Sequence, residues 1–170
     1  MPQAAILVGV YVAAICIANL TVAAFGPVAS PFNAFFLIGL DLALRDRLHD
    51  LWAGRSLWPR MLAMIAAAGL LSWALNPAAG RVALASLAAF VVAGGVDAAV
   101  YHALRHRPFL QRSNASNAAG ALADSLLFPT LAFGAWLPGI VALQFGAKLA
   151  GGAAWAWWID RWLRRPRLPA

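Results

Sequence analysis

Five ionisable residues lie inside stretches of this chain that are otherwise apolar. Asp41 and Arg45 fall in NAFFLIGLDLALRDRLHDLW, Asp97 in AAFVVAGGVDAAVY, Asp124 in SNASNAAGALADSLLFP, and Lys148 in the run 137–159, which carries no other charge before its end. A charge at the centre of an apolar membrane helix costs about 3 kcal/mol on the insertion scale, and such residues tend to be functional. Their spacing is helical. Asp41 and Arg45 are four apart with the acid first, the better orientation for a pair, and Asn33 and Leu37 precede them at the same interval. Asp97, Tyr101 and Arg105 repeat the device, and Gln144 and Lys148 supply one more such interval. Ser113, Asn117, Gly120, Asp124 and Phe128 make one stripe along a helix, with Asn114, Ser116 and Ser125 close by. Carboxylates accept N–H groups, amides and an ammonium donate, and rings stack. Facing one another, these side chains would line a polar cavity for a small, planar, hydrogen-bonding solute.

Plainer roles compete residue by residue. Arg45 could end its helix at the interface and extend its guanidinium to water, with Asp41 as its partner. Serine and asparagine hold membrane helices together at about 1 kcal/mol per contact, which accounts for Ser113 and Ser116 but not for an aspartate. His102 and His106 are four apart but have no third ligand at helical spacing, so no metal is expected. Cys16 sits in an apolar run and reads as a small buried hydrophobe. No GxxxxGK[ST], HExxH or GxSxG occurs, so neither ATP hydrolysis nor catalysis is expected, and no cofactor.

The elements that must position these residues follow from composition. Of 170 residues 63% are hydrophobic and 11% charged, where a soluble domain carries about a quarter charged. The chain reads as an all-α integral membrane protein with the lipid bilayer as its solvent. A hydrocarbon core about 30 Å thick needs roughly 20 apolar residues per helix. Six segments come close, at about 4–25, 29–45, 57–75, 82–104, 116–136 and 137–159, with a cytoplasmic tail at 160–170. They make one transmembrane domain, a six-transmembrane-helix bundle. Gly26-Pro27, Asn76-Pro77 and Pro138 punctuate it, and Pro129 should kink the fifth helix. Gly94-Gly95 and Gly151-Gly152 permit close helix packing. The N-terminus lacks a basic signal-peptide region, so the first helix is read as retained.

The net charge of +7 does not indicate nucleic acid, because eleven of the thirteen basic residues form three clusters. Arg45, Arg47, Arg55 and Arg60 follow the second helix, Arg105, Arg107 and Arg112 the fourth, and Arg161, Arg164, Arg165 and Arg167 the sixth. The alternate connections hold only Arg81, so both termini are expected in the cytoplasm. Trp52, Trp58, Trp136, Trp158 and Trp162 fall near helix ends, as an interfacial belt would.

The blocks NAFFLIGLDLALRDRLHD, GGVDAAVYHALRHR and SNASN…ADSLLFPTLAF, with Lys148 beyond them, resemble the bacterial queuosine-precursor transporter family, also called the vitamin uptake transporter family. The likeness runs from Asn19-Leu20 to Lys148. It implies six helices in the bacterial cytoplasmic (inner) membrane and uptake of 7-cyano-7-deazaguanine or 7-aminomethyl-7-deazaguanine, a nucleobase-like small molecule. It also implies that Asp41, Arg45, Asp97, Ser116, Asn117, Asp124, Ser125 and Lys148 match the family's pattern, to which the reading of the residues adds Gln144. This chain is shorter than many members, and Ala123 stands where some carry a polar residue. The alternative is the substrate-binding subunit of an energy-coupling-factor vitamin transporter, which would need a separate ATPase module as partner. Ala14 and Ala18 give it a small-xxx-small face. A homo-oligomer is the other partner the sequence leaves open.

Overall fold

Gly26-Pro27 folds the first apolar stretch back on itself. In the computed structural model, which describes residues 2–52 and 56–163, helix α1 (Pro2–Phe25) passes through a 3-10 turn at Gly26–Val28 into α2 (Ala29–Asn33). A π-helical turn at Ala34–Ile38 then leads into α3 (Gly39–Leu51). Gly26 makes the reversal possible with a φ of +68°, a conformation that suits a residue without a side chain. The two arms run antiparallel. Asn33 Nδ2 donates to the Ala18 carbonyl at 3.2 Å and to Thr21 Oγ1 at 2.7 Å, and further along Asp41 lies beside Tyr11. Asn33→Ala removes both ties and is expected to lower the midpoint of thermal unfolding by an amount equivalent to about 1 kcal/mol. An unchanged midpoint would mean that the glycine turn alone holds the hairpin.

Helix α4 (Leu57–Leu75) ends at Asn76, whose Oδ1 accepts the Ala78 N–H at 3.0 Å and caps the 3-10 turn Pro77–Ala79. Helix α5 (Gly80–Ala103) follows and packs most extensively on α6 (Phe109–Phe133). Arg81, the lone base of its connection, donates from Nε to the Leu131 carbonyl at 3.2 Å and so ties the start of α5 to the end of α6. Helix α7 (Pro138–Leu163) starts at Pro138 as expected. An apolar cluster of Tyr11, Ile15, Leu44, Leu48, Met61, Met64, Ile65 and Ala68 joins α1, α3 and α4. Cys16 is buried and free. Outward faces carry Ile6, Phe25, Leu70, Leu84 and Leu143 exposed, an arrangement suited to lipid and not to water.

The described residues are all helical or in short turns, with no strand. Among the described residues three stretches are long and apolar enough to cross a membrane, Ala4–Arg45, Trp58–Leu75 and Pro77–Ala103. The first, at 42 residues, would be about 63 Å long if straight, but it is the hairpin just described. Helices α6 and α7, of 25 and 26 residues, have the length of a span, and their polar side chains lower their apolarity. Element ends differ from expectation in an informative way. The fifth helix was expected to start near residue 116 and starts at Phe109, because its Ser/Asn run reads as loop by propensity yet continues the helix. The helix also runs through Pro129 to Phe133, and Thr130 Oγ1 bonds the Leu126 carbonyl at 2.7 Å. Arg55, Arg164, Arg165 and Arg167 lie outside the described residues, as do the side chains of Arg112, Ser113 and Trp162.

Candidate functional site

A cavity of about 530 Å³ lies between the hairpin and helices α5, α6 and α7. Its size is that of a site for a small organic ligand. Asp41 and Arg45 come to its wall from α3, Asp97 from α5, Asn117 and Asp124 from α6, and Gln144 and Lys148 from α7. Ser125 and Ser116 are buried and do not line it. Ser125 instead supports Lys148 from the side, while Ser116 has a contact of its own.

Lys148, 3% exposed, is the hub of the wall. Its ammonium donates to Asp124 Oδ2, to Ser125 Oγ at 3.1 Å and to Gln144 Oε1 at 3.3 Å. An ammonium has three N–H donors, so all three are directed at the protein. Gln144 in turn donates from Nε2 to Ser30 Oγ at 2.8 Å, which ties α7 to α2 across the cavity's inner end. Asp124, paired with Lys148 through Oδ2, keeps about a quarter of its side chain exposed, and no described residue donates to its Oδ1. Asp97 Oδ1 is buried and accepts no hydrogen bond from the described residues either. Asp97 stands against Gly120, where an added Cβ would lie 3.2 Å from both the Asp97 Cβ and the Ala93 carbonyl oxygen. Gly120 therefore lets α5 and α6 approach so closely that both acids border one space.

The π-helical turn decides what the hairpin shows to this space. Along an unbroken α-helix at about 100° per residue, Asp41 and Arg45 would point roughly 80° and 120° away from Asn33. One π turn inserts a residue and brings both to within about 20° of it. Asn33, Asp41 and Arg45 all line the cavity, and Leu37, expected on the same face, does not. Asn114, Asn117, Ala153 and Ala156 are exposed and also border the cavity, so it reaches the surface between the start of α6 and the end of α7.

Residues 2–159 match the model of a family described as "putative vitamin uptake transporter". The chain belongs to this family. The match covers the hairpin and every polar residue of the cavity, so the site is built from the part of the chain shared with the vitamin uptake transporters. Transport through a membrane is the role that membership and the apolar helices indicate. No curated protein and no solved structure matches the chain.

Sequence reasoning missed several polar residues of the cavity. Ser30 and Ser86 line it, and so does Asn19, 2% exposed, which donates to Ser72 Oγ at 3.2 Å. Asn19 carries a legible signal, an amide in the middle of an apolar run. Ser30 carries none, because its partner Gln144 is 114 residues away. His102 and His106 prove to flank Arg105, which contacts them at 3.2 Å and 3.3 Å, so a guanidinium stands between the two imidazoles.

Proposed function

We propose that this chain imports a 7-deazaguanine base, a nitrile- or aminomethyl-bearing queuosine precursor, across the bacterial inner membrane. On this reading it is one transmembrane domain that crosses six times, with the hairpin counting twice and both ends in the cytoplasm. The observation that carries the proposal is the saturated Lys148 cluster, which leaves carboxylate oxygens of Asp124 and Asp97 as acceptors on the wall of a cavity that also presents the amides of Asn117 and Gln144. A deazaguanine presents a guanidine-like edge of N–H donors beside a carbonyl acceptor. Asp124 Oδ1 takes that edge, Asn117 and the second N–H of Gln144 donate to the carbonyl and ring nitrogen, and Phe128 or Phe90 stacks on the ring. Lys148 braces Asp124 and Gln144 in place, and Arg45 with Asp41 forms the opposite wall.

The test is thermal unfolding of the purified protein in detergent with guanine, deazaguanine bases, riboflavin, biotin and thiamine. A ligand at a hundred times its Kd stabilises by about 2.7 kcal/mol. Stabilisation by the deazaguanines alone, absent in Asp124→Ala, is expected. Stabilisation by a vitamin alone would refute the base assignment, and no response across the set would refute the solute class.

A further inference from the structure

We infer that the cavity selects a cationic solute, a planar base carrying a protonated primary amine, over its uncharged nitrile counterpart, with Asp97 receiving the ammonium. The inference rests on the base-transport reading above and adds the charge of the substrate to it. Among the lining residues, Asp41, Asp97 and Asp124 face only two cations, Arg45 and Lys148. Lys148 is committed to Asp124. Arg45 stands one helical turn from Asp41, which lies beside Tyr11. Asp97 is left with a buried Oδ1 that accepts nothing from the described residues.

Among the described side chains no cation forms an ion pair with Asp97. On its own helix the next base, Arg105, is two turns away, exposed, and engaged with His102 and His106. The facing turn of α6 brings Asn117 and Gly120. A carboxylate so placed in an apolar chain is costly until a positive charge joins it. An alkylammonium supplies that charge together with three N–H donors, whereas a nitrile presents only an acceptor to the same oxygen. The placement fits one molecule. Asp97 abuts Gly120, and Asp124 is one turn further along α6, a rise of about 6 Å, so the two acids can meet opposite ends of a single bicyclic base.

The experiment measures Kd for 7-aminomethyl-7-deazaguanine and 7-cyano-7-deazaguanine at pH 7 on the wild-type protein and on Asp97→Asn. The wild type is expected to favour the aminomethyl base at least tenfold, about 1.4 kcal/mol. In Asp97→Asn, eluting as a monodisperse species, that ratio is expected to fall to near one. Both bases binding the wild type with equal affinity would overturn the inference and leave the base-transport reading standing. So would a preference that persists undiminished in Asp97→Asn. Failure of both bases to bind would overturn the base-transport reading, and the charge preference with it. The wild-type ratio decides the matter even if the variant does not fold.

Discussion

Lys148→Met is expected to abolish ligand binding and to lower stability by about 3–5 kcal/mol, the cost of breaking a buried ion pair from one side. The cost comes from what is left behind. With the ammonium gone, Asp124 Oδ2, Ser125 Oγ and Gln144 Oε1 all lose their donor, and two of these residues are buried. Asp124 then holds an uncompensated charge. Removing both charges separates the brace from the site. Lys148→Met combined with Asp124→Leu puts apolar volume where the pair stood, and such replacements are often neutral or stabilising. The double variant is therefore expected to recover most of the lost stability and none of the binding. Thermal unfolding and ligand titration of both variants measure this. Wild-type affinity in Lys148→Met would show that the cluster does not shape the site. A double variant no more stable than the single one would place the stabilisation in the Ser125 and Gln144 bonds instead of the ion pair.

The residues of that cluster were legible in the sequence because charges inside apolar runs stand out against their surroundings. The pairing was not. Asp124 and Lys148 are 24 residues apart, on different helices, and nothing in local spacing selects Lys148 over Arg45 as the partner of a given acid. Apolar length marks out the stretch from Leu57 to Asn76-Pro77, where α4 lies. It misplaced the start of α6, where polar residues that line a cavity mouth resemble a loop. It also could not register the π turn, because Ala34–Ile38 is apolar throughout and carries no proline or glycine to mark the extra residue. The four-residue interval from Asn33 to Arg45 does not by itself put these residues on one face, since three such steps in an α-helix drift by about 120°. The drift is what the π turn corrects. Chemistry-bearing residues can thus be found one at a time, while their convergence depends on a backbone irregularity without a local signature.

That irregularity rests on a glycine contact, which makes Gly151→Ala the second substitution with a large expected effect. A Cβ on Gly151 would stand 2.2 Å from the Phe35 carbonyl oxygen and 2.9 Å from the Phe35 carbonyl carbon and Cα. The contact is reciprocal, for a Cβ on Gly39 would lie 2.6 Å from the Gly151 carbonyl carbon. These are backbone atoms of the π turn and of α7, and they cannot rotate aside. Helix α7 must withdraw from the hairpin by about 1 Å, at a cost of about 3 kcal/mol or more, the upper end for overpacking. The withdrawal stretches the Gln144–Ser30 bond, 2.8 Å in the folded chain, and moves the Asn33, Asp41 and Arg45 wall away from Lys148. Binding is therefore expected to fall together with stability, although Gly151 does not line the cavity. Two companions calibrate the measurement. Gly94→Ala meets the Trp58 ring first, and an exposed indole can swing away at a smaller cost. Gly95→Ala meets nothing within 4 Å and is expected to be neutral or to gain up to about 1 kcal/mol from helix propensity. Thermal unfolding that ranks Gly151→Ala far below Gly94→Ala, and Gly94→Ala below Gly95→Ala, supports backbone contact as the hold on the wall. Gly151→Ala within 1 kcal/mol of the wild type would mean that α7 and the π turn are not pressed together, and that the cavity owes its shape to the polar bonds alone.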